Sequence, residues 1–132
     1  MEGAIQQVNM GAVLFQTADW SSLPPTQRPG KTGYATYRTI EFEGFRVRLV
    51  EYSENYAANH WCRAGHIVYC LEGELLSELS DGRAFKLTKG MSYIVSDEVS
   101  EHRSSTKSGA TLLILDGKFL REPKPLLNPW KM

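Results

Sequence analysis

Helical periodicity is what this 132-residue chain has least of. No window of a dozen residues keeps a 3.6-residue apolar repeat free of glycine, proline or a β-branched run, which leaves little room for a helical fold. Thiols and imidazoles are scarce as well, at two cysteines and three histidines. Two cysteines cannot form the dense disulfide framework of a small secreted domain, so free thiols in a reducing compartment are expected. Neither charge is in excess: fifteen basic residues stand against fifteen acidic ones, interspersed along the chain. No basic block like those of nucleic-acid binders occurs, so no nucleic acid is expected as partner. No apolar run approaches the roughly 18 residues that span a bilayer, and no membrane association is expected. The first residues, MEGAIQQVNMGAVLFQ, lack the basic start and sustained apolar region of a secretory signal, which gives a cytoplasmic expectation. Missing too are a Gly-x-Ser-x-Gly elbow, a phosphate-cradling glycine loop and a Cys-x-x-Cys pair.

What the chain does have is a succession of short β-like runs. GYATYRTIEF (33–42) leads through Glu43-Gly44 into FRVRLVEYS (45–53), where Phe45, Val47 and Leu49 alternate with Arg46 and Arg48. HIVYCLEG (66–73) reads as a buried strand ending at its glycine. ELLSELS (74–80) and RAFKLT (83–88) flank Asp81-Gly82, a hairpin signal, and MSYIVS (91–96) and ATLLILD (110–116) complete the set. A Ser/Thr/Lys-rich turn precedes the last run. Many short strands separated by turn residues indicate an all-β sandwich or barrel. Residues 21–33 carry Pro24, Pro25 and Pro29 and are expected to be irregular, because proline removes donors and fixes φ. The proline-rich tail REPKPLLNPWKM is expected to run extended over the surface. The length suits a single domain, 1–132, able to hold its core without disulfides or a structural metal.

Both cysteines and two of the three histidines fall in NHWCRAGHIVYCLEG, from Asn59 to Gly73. If this stretch is extended, residues two apart share a side, so His60 and Cys62 point one way and Trp61 the other. His66 can join them from the next strand, and His102 is the histidine left to close a site. Imidazole and thiolate are ordinary ligands of zinc and other first-row metals. Taken singly, each also has a plainer reading, as a hydrogen-bonded core histidine or a small buried hydrophobe. Cys70 lies four residues beyond His66, roughly 13 Å along a strand, and is expected to fill core; the spacing disfavours a Cys62–Cys70 disulfide.

The spacing of these residues resembles the two motifs of the cupin family. His60, Cys62, His66 and Gly73 occupy the frame of the first motif, and GMSYIVSDEVSEH, from Gly90 to His102, that of the second. The resemblance covers about residues 40–116, leaving an irregular lead, 1–33, and the tail, 117–132, outside it. More narrowly, the chain is similar to small single-domain cupins named for a DHCW motif, although the order here is Asn59-His60-Trp61-Cys62. The resemblance implies an antiparallel double-stranded β-helix, or jelly-roll barrel, with His60, Cys62, His66 and His102 as metal ligands near one mouth. It also implies a homodimer, for which Tyr34 to Phe42 offers a contact surface.

This chain departs from the family pattern at two ligand positions: Cys62 replaces the second histidine and His66 the glutamate. The second motif lacks the usual proline and second glycine. Sulfur and nitrogen donors suit one divalent transition metal, Zn, Fe, Ni or Cu, better than magnesium or calcium. Four ligands would close a structural zinc site; fewer would leave a position open for substrate. The expected function is a metal-binding protein that binds or acts on a small organic molecule, as an enzyme of oxygenase or isomerase type. The alternative is a non-catalytic binding or sensing barrel with a structural metal or none, and a third reading is a dimer-forming protein whose histidines are core polarity. Arg46 and Arg48 are expected on a solvated face; were that face to line the barrel mouth, they would suit a carboxylate or phosphate. Tyr52, Tyr69 and Tyr93 are candidate pocket hydroxyls.

Overall fold

The computed structural model describes residues 12–121. The opening residues MEGAIQQVNMG and the tail from Glu122 lie outside it. Nine strands follow one another: β1 (Thr26–Pro29), β2 (Tyr34–Phe42), β3 (Phe45–Tyr52), β4 (Tyr56–Ala57), β5 (His66–Leu79), β6 (Ala84–Thr88), β7 (Ser92–Val95), β8 (His102–Thr106) and β9 (Ala110–Gly117). All pairings are antiparallel. One layer runs β1-β2-β3-β9-β5-β7, and the other is built from the second half of β5 with β6, β8 and β4. The molecule is an all-β jelly roll.

β5 joins the layers. The sequence marks Gly73 as the end of a strand, but β5 continues to Leu79 for fourteen residues. A bulge between Cys70 and Glu72 and a φ of +80° at Gly73 bend the strand instead of stopping it, and the bend carries it from one layer to the other. A side chain at Gly73 would collide with the Gly109 carbonyl.

Two stretches expected to be irregular are strands. Thr26–Pro29 pairs with β2 as an edge strand, exposed along its length, and Pro29 closes it where the ladder ends. The sheet therefore starts well before residue 40. His102–Thr106 forms β8, paired on one side with β5 and on the other with β4. Its serines and threonines read as a turn because their strand faces a polar interior, where the hydrophobic signal of a strand is lost.

Pairing register arranges the inward side chains in rows. Tyr37, Val50, Leu112 and Cys70 form one row, and Thr39, Arg48, Ile114, Val68 and Tyr93 the next. Val50, Val68, Cys70, Leu75 and Leu112 are the most buried side chains of the core. Arg46 and Arg48 thus face inward with Val50, while Phe45, Val47 and Leu49 take the outer face. This reverses the expectation of a solvated arginine face. The alternation was legible, but which side meets the core depends on the neighbouring strands.

Candidate metal centre

Cys62, His66 and His102 converge at one end of the barrel. A donor atom from each lies within 4.8 Å of the others. His66 opens β5 and His102 opens β8; Cys62 belongs to neither layer and is drawn in by a two-residue bridge to His102. Its N–H donates to the His102 carbonyl at 2.7 Å, and the His102 N–H donates back at 3.0 Å. Cys62 Sγ stands 3.7 Å from His66 Nε2, and the two imidazoles meet edge to face at 5.4 Å. His66 and His102 are buried and Cys62 is half-buried.

His60 does not join the cluster. The chain bends at Asn59 and His60 instead of forming a strand, so the alternation that would pair His60 with Cys62 does not operate. His60 is exposed at the rim, with Nδ1 2.7 Å from Asn59 Oδ1. Trp61 points away from the cluster, under the guanidinium of Arg103 at 4.2 Å. Cys70 fills core as a free thiol, and its S–H lies 3.5 Å from the Glu72 carbonyl. Burial pushes that thiol up.

A residue that sequence reasoning passed over stands behind the cluster. Asp116 is 8% exposed and lies in the β9 row that also turns Ala110, Leu112 and Ile114 inward. Register sets it directly opposite Arg46. Asp116 Oδ1 accepts from Arg46 Nε at 2.8 Å, and Oδ2 accepts from an Arg48 terminal nitrogen at 2.9 Å. His66 Nδ1 is 3.2 Å from the same Oδ2, so the ring is held with Nδ1 toward Asp116 and Nε2 toward Cys62. The available signal was its phase in ATLLILDG, a carboxylate in step with the buried apolar positions.

The electrostatics follow from these contacts. The imidazoles of His102 and then His66 hold the Cys62 thiol down to about 5, against the effect of burial. Burial opposes charge on His66, but Asp116 and Cys62 outweigh it and raise the imidazole overall. Burial likewise opposes the Asp116 carboxylate, and His66, Arg46 and Arg48 together keep it well below the usual range. Among the described residues, both His102 ring nitrogens are buried without a hydrogen-bond partner. An unmet buried donor or acceptor costs about 1–3 kcal/mol, and one of the two nitrogens, in reach of a thiol and a second imidazole, fits a metal ion.

The cluster lines a cavity of about 210 Å³. Tyr37, Tyr52, Tyr56 and Tyr93 contribute to its wall, whereas Tyr69 faces outward and is exposed. Burial raises the hydroxyls of Tyr52 and Tyr93, and pushes Tyr56 up to about 12, so all three stay protonated donors near neutrality.

The curled antiparallel layers and the cluster at one end define a class, the small jelly-roll barrels that enclose a site. The chain has the cupin fold. It is similar to an RmlC-like cupin from Shewanella frigidimarina, at 17% identity and a TM-score of 0.62 over 79% of this chain and 91% of the other. A sugar phosphate isomerase of the cupin superfamily from Silicibacter pomeroyi is similar at 16% identity and a TM-score of 0.62, over 78% and 76%. Fe(II)-HppE with an alternative substrate matches at 15% identity and a TM-score of 0.64, over 77% of this chain and 60% of that one. A scan of family models and a search of curated proteins both find no match. Nothing in these likenesses bears on the narrower DHCW group. No helix of the described residues is long and apolar enough to cross a membrane.

Proposed function

We propose that Cys62, His66 and His102 hold one divalent transition metal, and that the cavity beside them binds and transforms a small organic molecule. The observation that carries this reading is the convergence of one donor atom each from Cys62, His66 and His102 within 4.8 Å, with the His102 ring buried and its nitrogens unpartnered among the described residues. One thiolate and two imidazoles suit zinc, ferrous iron, nickel or copper. Three donors, unlike four, leave a position for a ligand, which favours an open site over a closed structural one. The bound metal would supply a Lewis acid or redox centre for a substrate oxygen. Asp116 Oδ2 stands 3.2 Å from His66 Nδ1, a contact that orients the ring with Nε2 toward the cluster, as a carboxylate behind a metal-bound histidine would. Tyr93, edge-on to His102 at 5.8 Å, confines that ring. The cavity is below the ~300–1,000 Å³ of drug-sized ligand pockets, so the molecule it takes is small. The Fe(II)-containing neighbour and the sugar phosphate isomerase support metal chemistry and small substrates in this fold, without choosing between oxygenase and isomerase.

Elemental analysis of protein purified without a histidine tag tests the reading. One transition metal per chain is expected, lost in His66→Ala and His102→Ala. A wild-type protein that stays free of metal after incubation with zinc, iron and nickel salts would sink it. Retention of metal without turnover of any small molecule would favour the sensing alternative.

The partner proposed for the outer face is a second copy of this chain. Val47, Leu115, Ile67 and Ile94 form one cross-strand row there, beside Leu49, Leu113 and Tyr69. Ile94 is 69% exposed and Tyr69 39%. An apolar face of this kind on a barrel is ordinarily covered by another protein surface.

A further inference from the structure

The wall of the cavity is lopsided in charge. Arg46, Arg48 and Arg103 line it, and among the described residues no aspartate or glutamate does. Asp116 stands behind the wall, where a single carboxylate serves both Arg46 and Arg48. Arg103 is engaged elsewhere, on Glu78 at 3.1 Å and over Trp61. Arg48 is the informative residue. Its side chain is 15% exposed, one terminal nitrogen is spent on Asp116, and Tyr37 lies against the guanidinium at 5.5 Å. Its Nε–H is closed off from the cavity and has no hydrogen-bond partner among the described residues. Arg46, whose side chain is 43% exposed, is the more open of the two, and two guanidinium groups side by side on a cavity wall match the paired oxygens of a carboxylate or phosphate.

From this geometry we infer that the cavity selects a small organic anion, with Arg48 and Arg46 receiving its oxyanion and Cys62, His66 and His102 standing at its other end. This deepens the reading above and rests on the cavity being a ligand site. Arg48 and His66 both end on Asp116 Oδ2, behind the wall, and both line the same cavity of about 210 Å³. A short molecule lying in that cavity meets both. Val68, Leu112 and Ile114 floor the space between and suit an apolar or lightly substituted carbon body.

Arginine Nε–Hε resonances of the full-length protein, in zinc-loaded and metal-free forms, read the site directly. Titration with malonate, pyruvate or inorganic phosphate should shift the Arg48 signal saturably, and malonamide, the neutral counterpart of malonate, should not. Whichever anion saturates at the lower concentration separates carboxylate from phosphate. Arg48→Lys keeps the positive charge opposite Asp116, so its fold is expected to survive, and it should weaken the response of cavity-lining amides at least tenfold. The inference is overturned if none of the three anions gives a saturable shift, if malonamide shifts the signal equally, or if Arg48→Lys responds like wild type. Metal bound without any anion response would defeat this inference alone. A saturable response in a protein that takes up no metal would leave it standing and defeat the metal reading.

Discussion

Asp116 Oδ2 serves a guanidinium and an imidazole at once, while Oδ1 serves a second guanidinium. Replacing this carboxylate with an amide of the same shape leaves Arg48 without its carboxylate partner and Arg46 with only Glu41 across the strand pair. Breaking one side of a buried ion network costs about 3–5 kcal/mol, so Asp116→Asn should lose that much stability in urea unfolding. The same variant frees the His66 ring, and its metal affinity should fall by about 10–100-fold in competition with a chelator. Cys62 is tested separately. Cobalt(II)-loaded wild type should absorb in the near ultraviolet through a sulfur-to-cobalt transition that Cys62→Ser lacks; an unchanged spectrum would remove Cys62 from the ligand set. At this scale the sequence was legible where spacing along one strand decides position, as for Cys70 and His66. It misled where a loop decides, as at His60, and it hid Asp116 because a lone aspartate at a strand end ordinarily reads as a turn residue.

Among the elements, β5 bears the greatest demand, since it pairs with four other strands and bends from one layer to the other. Gly73 and Gly82 both have positive φ, +80° and +97°. They differ in what surrounds them, for a side chain at Gly82 meets nothing within 4 Å, whereas one at Gly73 runs into Gly109. Gly82→Ala should therefore cost about 1–2 kcal/mol, the left-handed penalty alone. Gly73→Ala should cost more than that and lower the melting temperature further; equal losses would show that β5 tolerates a shifted Gly109 carbonyl. Strand positions were readable from alternation and turn residues for β2, β3, β6, β7 and β9. β8 was not, because its serines and threonines line a polar interior, and β1 was not, because an exposed edge strand needs no apolar pattern.

For the molecule as a whole, the core of Val50, Val68, Leu75 and Leu112 is apolar and packs by side-chain burial, so its formation is expected not to require an ion. Chelation should leave the far-ultraviolet circular dichroism unchanged while lowering the melting temperature; at metal concentrations 100-fold above Kd, the ion would contribute about 2.7 kcal/mol. Light scattering should give the mass of a dimer, and Tyr69→Glu with Ile94→Glu should give a monomer with the same strand content. A monomeric wild type would refute the assigned partner. The pairing of β3 with β9 carries a further consequence. It joins Phe45 to Gly117 and Tyr52 to Ala110, the widest gap in chain position of any neighbouring strands here. Contacts that distant form slowly, because the intervening loop must first be closed. The same pairing puts Arg46 opposite Asp116, so the charged wall has no local precursor. A chain still being synthesised can hold the β2–β3 hairpin early, but it owns no ligand cradle until residue 116 has been made and β9 has docked.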